Sequence, residues 1–205
     1  LVNNTDNIII TYFNGLATVG LSSNYTLLSN TLNTLLNQIF NGIGASVGNY
    51  NAVESRDKKI ELFNFINLIN FWLFGWATLG IVVLSSDIVE ICFGKNYVLP
   101  FSIPCIVGLN FYMIGMQSAV WTYKNSMGLF RQGRYLLIVT AILSLVLSLA
   151  LGKLWGLFGI LFATTISRLL TNTWYDPYVV YKYGLEEDPK QYFKKYINLF
   201  LLLII

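Results

Sequence analysis

The chain contains no histidine, and only 11% of its 205 residues are charged, where a soluble domain carries about 25%. Without histidine there is no imidazole acid–base catalysis and no His-ligated metal site. Two cysteines, Cys92 and Cys105, are too few for a zinc cluster or a disulfide framework and read as free thiols. The net charge is only +3, carried by scattered cation clusters, whereas nucleic-acid binding favours a continuous basic surface. Hydrophobic residues make up 55% of the chain, and the mean hydropathy is +0.59. These figures exclude most soluble enzymes. They predict an all-α, polytopic transmembrane helix bundle that is not an enzyme and takes no cofactor or metal.

A bilayer span needs roughly 20 predominantly apolar residues. Runs of that kind predict spans near 7–22, 26–48, 60–84, 101–123, 135–152 and 156–175, with a seventh from about 196 that the sequence cuts short. SSNY (22–25) and GKLWG (152–156) read as tight hairpins, Pro100 and Pro104 as the entry to the fourth span, and 50–59 and 183–195 as polar connections. The chain starts without Met, has no signal peptide, and ends in LLLII. An internal piece of a longer protein, one transmembrane lobe over 1–205, is therefore the expectation.

Cations sort by side. Arg56, Lys58, Lys59, Lys124, Arg131, Arg134, Lys182, Lys190, Lys194 and Lys195 fall in alternate connections, ten of the thirteen Lys and Arg residues. Lys95 and Lys153 lie on the other side, and Arg168 falls within a span. Lys and Arg concentrate in cytoplasmic loops, so residues 1–6 are expected at the cytoplasmic face and the 85–100 loop outside. All connections are short, which confines function to the helices and their ends.

The first spans carry amides in stripes. Asn7, Thr11, Asn14 and Thr18 recur at steps of 4, 3 and 4, and Asn30, Asn33, Asn37, Asn41, Gly44 and Gly48 repeat the pattern in the second span. Asn64 and Asn67 follow in the third span, and Asn110, Gln117 and Lys124 stand at heptad spacing in the fourth. Carboxamides in hydrocarbon are costly without partners or water. Each one alone reads as interhelical glue. A whole stripe predicts a hydrophilic cavity lined by Asn7, Thr11, Asn14, Asn30, Asn33, Asn37, Asn41, Asn110 and Gln117, suited to a hydroxyl-rich substrate.

Charges inside spans are rare and functional by default. Arg168 is either a cavity-facing anion site or a snorkelling side chain. Lys124 is either a helix C-terminal charge or an anion ligand. Asp6 is either an N-cap or a protonatable, ion-coupling carboxylate. Gly44–Gly48 and Gly156–Gly159 read as close-packing pairs. Trp121, Tyr123, Trp155, Trp174 and Tyr175 read as interfacial anchors, a scheme that Trp72 and Trp76 do not fit. The sequons at Asn3 and Asn24 are chance-level matches.

Taken together, NNTDNIII (3–10), VGLSSNY (19–25), GASVGN with AVES (44–49 and 52–55), NFYMIG (110–115) and GLFGILFATTIS (156–167) resemble the polysaccharide-exporter branch of the MOP superfamily, the Wzx-type flippases of O-antigen and capsule repeat units. The resemblance implies the second half of a V-shaped, MATE-like transporter in the bacterial cytoplasmic membrane. Its TDN-type motif would open the seventh helix from the cytoplasm. Such a protein moves an undecaprenyl-diphosphate-linked oligosaccharide outward by alternating access, coupled to an ion gradient. The amides would then face sugar, Arg168 and Lys124 the diphosphate, and Asp6 the coupling ion. Partners would be the lipid-linked oligosaccharide, membrane lipids, the missing N-terminal lobe, and polysaccharide polymerase and chain-length proteins. The alternatives are a multidrug or small-molecule exporter of the same fold, and a membrane-embedded polymerase or ligase, which would be expected to carry a large outer loop that is missing here.

Overall fold

A computed structural model describes residues 2–204, with side chains for residues 6–203, and every regular element in it is helical. In chain order these are α1 (Val2–Asn14), α2 (Leu16–Val53), α3 (Arg56–Phe93), a 3-10 turn (Lys95–Tyr97), α4 (Ser102–Ser126), α5 (Leu136–Leu170), α6 (Asn172–Val179), a π-helical turn (Val180–Leu185) and α7 (Lys190–Ile204). Three segments are long and apolar enough to cross a membrane: Arg56–Phe93, Ser102–Ser126 and Leu136–Leu185.

The last of these is folded back on itself. Gly156 has φ 56° and ψ −135°, a region open in practice only to glycine. Thr140 Oγ1 consequently lies 2.9 Å from Thr171 Oγ1 and 2.8 Å from Asn172 Oδ1, residues that a straight helix would hold about 47 Å apart. The hairpin expected at GKLWG is therefore present, with its apex at Gly156. Its first leg buries Thr140, Ser144, Ser148 and Gly152 at every fourth position. The second leg buries Gly159, Ala163 and Ser167 in the same rhythm. A Cβ at Gly159 would collide with the Leu151 carbonyl, so small side chains let the legs touch.

The first break differs from expectation. SSNY (22–25) is helical, and the chain breaks instead at Gly15, with φ 85° and ψ 161°. Ser22 and Ser23 donate their hydroxyls back to the Val19 carbonyl, at 3.1 and 2.7 Å, so their polarity is absorbed by the helix. The expected spans 7–22 and 26–48 are thus replaced by a 13-residue α1 and a 38-residue α2. The polar connection at 50–59 also shrinks to Glu54 and Ser55 between α2 and α3, and α7 begins at Lys190 within the expected 183–195 connection.

Side-chain contacts set the directions. Phe63 meets Tyr123 at 4.9 Å and Phe74 meets Phe111 at 5.4 Å, so α3 and α4 are antiparallel. Ser118 Oγ donates to Asn37 at 2.6 Å and Asn51 Nδ2 to Ser126 at 3.3 Å, so α2 and α4 are parallel. Asn110 Nδ2 donates to the Leu161 carbonyl at 3.0 Å and Trp121 Nε1 to Asp176 at 3.1 Å, which aligns the second leg of α5 and the α6 that follows it with α4 as well. Helix α4 is the hub: most of its residues are buried, whereas few are in the first leg of the hairpin. Arg56, bonded to the Leu185 carbonyl, Lys195, bonded to Asn64, and Lys124, bonded to Asp176, share one end of this array. Those three cations therefore lie at one end of the array.

Replacing Gly156 by Ala forces a Cβ into that glycine region, 2.9 Å from Asn14 Nδ2. Thermal unfolding in detergent should show a loss of about 1–3 kcal/mol. Gly80, helical and with open space around its Cα, should accept Ala within about 0.5 kcal/mol. Equal melting of the two variants would contradict the hairpin.

Candidate functional site

Helices α1 and α2, α4 and the second leg of α5 enclose a cavity of about 250 Å3. Asp6, Asn7 and Ile10 line it from α1, and Ser22, Thr26, Ser29, Asn30 and Asn33 from α2. Asn110, Phe111 and Ile114 belong to α4, and Leu161, Thr164 and Arg168 to α5. Both sides of the Gly15 break contribute, so that break builds the site.

One hydrogen bond ties the walls together. Buried Thr164 donates its hydroxyl to Asp6 Oδ2 at 3.0 Å. Arg168 is one helical turn further on and faces the same space, and it forms no ion pair with Asp6 among the described residues. Its Nε is buried without a hydrogen-bond partner there. A carboxylate and a guanidinium thus share one cavity, separated and each still able to bind.

The amides divide into holders and presenters. Asn37 Nδ2 donates to Asn33 Oδ1 at 2.7 Å while Asn37 Oδ1 accepts from Ser118. Asn37 is interhelical glue that props Asn33 toward the cavity. Asn110 bonds both the Leu161 carbonyl and the Thr165 hydroxyl, at 3.0 and 3.1 Å. Thr26 and Ser29 donate to carbonyls of their own helix, at 3.2 and 3.0 Å, which leaves oxygen lone pairs free. A space of this size and polarity holds several waters.

Not every expected lining residue reaches it. Thr11 is exposed and donates back to the Asn7 carbonyl at 2.8 Å. Asn14 sits at the far end, against Gly156. Asn41 is exposed along α2 beyond the cavity. Gln117 is buried with Oε1 unpartnered, away from the lining. Lys124 also lies elsewhere, paired with Asp176 Oδ1 at 2.6 Å, and Trp121 joins the same carboxylate and is no free anchor. A Cβ added at Gly48 would meet Ser126 Cβ at an ordinary 3.7 Å, whereas one at Gly44 would find open space, so neither glycine is required by close packing among the described residues. Cys92 and Cys105 are free thiols.

Sequence reasoning missed Thr164 and the hydroxyls of Ser22, Thr26 and Ser29. The signal was present: Thr164 and Arg168 stand four residues apart on one face.

Helix α2 has three faces. Ser22, Tyr25, Phe40 and Val47 are buried. Leu32, Leu35, Ile39 and Val53 form an apolar exposed side. Asn30, Thr34, Gln38 and Asn41 are also exposed, and at 100° per residue they fall within about 80° of one another. Lipid suits the second face but not the third. No family model, curated protein or solved structure matches the chain.

Two measurements check this geometry. With Cys92 and Cys105 replaced by Ser, cysteines at Asn30 and Asn33 should react with a membrane-impermeant maleimide, and a cysteine at Ser148, fully buried, should not. Removing Asp176 alone strands Lys124, and unfolding should show a loss of about 3–5 kcal/mol, largely recovered in the Lys124→Met/Asp176→Leu double variant.

Proposed function

We propose that the chain is the cavity-bearing half of a transporter that carries lipid-linked oligosaccharides across the bacterial cytoplasmic membrane, in the manner of the Wzx-type flippases it resembles. The observation that carries this reading is the cavity, in which amides and hydroxyls of Asn30, Asn33, Asn110 and Thr26 surround a space that also holds Arg168. Carboxamides donate and accept, which suits sugar hydroxyls. A guanidinium gives a diphosphate bidentate, charge-assisted hydrogen bonds. Water fills the cavity when substrate is absent, and the polar face of α2 borders the same aqueous path.

In this mechanism Arg168 draws in the diphosphate and the amides exchange their water for hydroxyls. The prenyl chain stays among lipid tails, where transfer of its many methylenes into water would cost about 0.8 kcal/mol each. Asp6, held by Thr164, keeps an empty cavity close to neutral. Its protonation or cation binding when the anionic substrate arrives would link transport to an ion gradient. The cations clustered at one end support, by the positive-inside rule, a cytoplasmic position for that end.

Complementation by the full protein in a strain lacking its repeat-unit flippase tests the proposal. Wild type should restore surface polysaccharide, Arg168→Lys should retain part of that activity, and Arg168→Ala should lose at least about tenfold. Failure to restore any of several repeat-unit types, with a gain of drug efflux, would sink the reading in favour of a multidrug exporter. Wild-type transport by Arg168→Ala would remove the arginine from the mechanism.

A further inference from the structure

The cation-rich end carries a second feature that the cavity does not use. The loop before α5 and the α6 region, distant in sequence, meet where Gly133, with φ 83°, lies against the Tyr175 ring. A run of rings starts there. Trp174 stands edge-on to Tyr175 at 5.6 Å, and Tyr175 lies 6.4 Å from Tyr178. Lys182 Nζ donates to the Tyr178 hydroxyl oxygen at 2.6 Å and sits over the rings of Tyr178 and Tyr183, at 5.1 and 5.7 Å. On the other side of Gly133, the Arg134 guanidinium lies 4.5 Å above the Tyr135 ring.

The cations in this strip are available. Arg131, Arg134 and Lys182 are exposed and form no ion pair among the described residues. Of the carboxylates close by in sequence, Asp176 holds Lys124 and Glu187 holds Arg56 at 3.1 Å, while Glu186 is exposed and forms no ion pair with these cations among the described residues. Ring faces restrict where the charges sit without neutralising them. Tyr135 and Tyr183 are 61% and 51% exposed, as suits amphipathic rings at headgroup level.

An apolar wall begins where the cations end. Immediately after Tyr135 the first leg of α5 exposes Leu137, Ile138, Val139 and Ile142, the first of them at 70%. A soluble anion would match the cations and leave this wall bare. A phospholipid matches both, with phosphate at the cations and acyl chains along the leg.

We propose that this strip is a binding site for an anionic phospholipid at the cation-rich end. Arg134 and Lys182 hold the headgroup phosphate, the Tyr178 hydroxyl donates to it because its oxygen already accepts from Lys182, and the acyl chains lie along Leu137, Ile138 and Ile142. The site rests on the membrane reading of α5 and is independent of what the cavity transports.

The test is native mass spectrometry of the purified full chain, released from nanodiscs of phosphatidylglycerol and phosphatidylcholine in equal parts. Wild type should retain phosphatidylglycerol selectively. Arg134→Gln/Lys182→Gln should lower that retention about tenfold or more, since each cation near an anionic surface contributes comparably. Lys182→Arg should keep the lipid and Tyr178→Phe should weaken it, so the site stays testable if the double variant misfolds. Excess inorganic phosphate should leave the lipid bound. Equal retention of both lipids by wild type, unchanged retention in the double and Tyr178→Phe variants, or displacement by inorganic phosphate would each overturn the proposal. Failure to enter nanodiscs at all would overturn the membrane reading with it.

Discussion

The site in this molecule depends on one constraint: a polar side chain inside an apolar helix bundle is costly without a partner. Hydrocarbon supplies none, and an unpartnered hydroxyl or amide there costs several kcal/mol. The bond from Thr164 to Asp6 is where that constraint becomes architecture. It fixes α1 against α5 and so closes the wall that carries Arg168. Asn37 meets the same demand by bridging Asn33 and Ser118, and Asp176 by collecting Lys124, Trp121 and Asn172. Where partners run out, as at Arg168 Nε, the remaining demand points at whatever enters the cavity.

Glycine acts on the same problem from the backbone. Gly15 and Gly156 are two positions where the chain leaves the helical region inside long apolar sequence. The first brings α1 and α2 around one cavity. The second presses two legs together along Thr140, Ser144 and Ser148, with Ser144 and Ser148 leaving their hydroxyls unpartnered and buried. Such close packing on small residues lets helices associate where there is no hydrophobic drive to do so.

Much of this was legible in the sequence, and the misses have physical reasons. Helical class, the hairpin at GKLWG and the free thiols follow from composition and local chemistry. The cavity was half visible, because periodicity puts Asn30, Asn33 and Asn37 on one face but does not say which of them a neighbour will claim. Ser118 claims Asn37 and Asp176 claims Lys124, both across many residues of sequence. The break at Gly15 was misplaced to SSNY because serines and asparagine read as a turn, although serine hydroxyls in apolar surroundings bond back to their own helix. Trp72 and Trp76 stack at 6.4 Å on the exposed side of α3, and nothing in the structure explains them.

The central claim is that the cavity binds an anion through Arg168 in surroundings built for hydroxyls. Equilibrium binding of a short-chain prenyl-diphosphate disaccharide to the purified protein tests it most directly. Arg168→Gln should weaken binding about tenfold or more, while Lys124→Gln, outside the cavity, should leave it within about twofold once folding is confirmed. The free prenyl alcohol should bind far more weakly than the diphosphate. Equal binding of alcohol and diphosphate, or indifference to Arg168→Gln, would contradict the account.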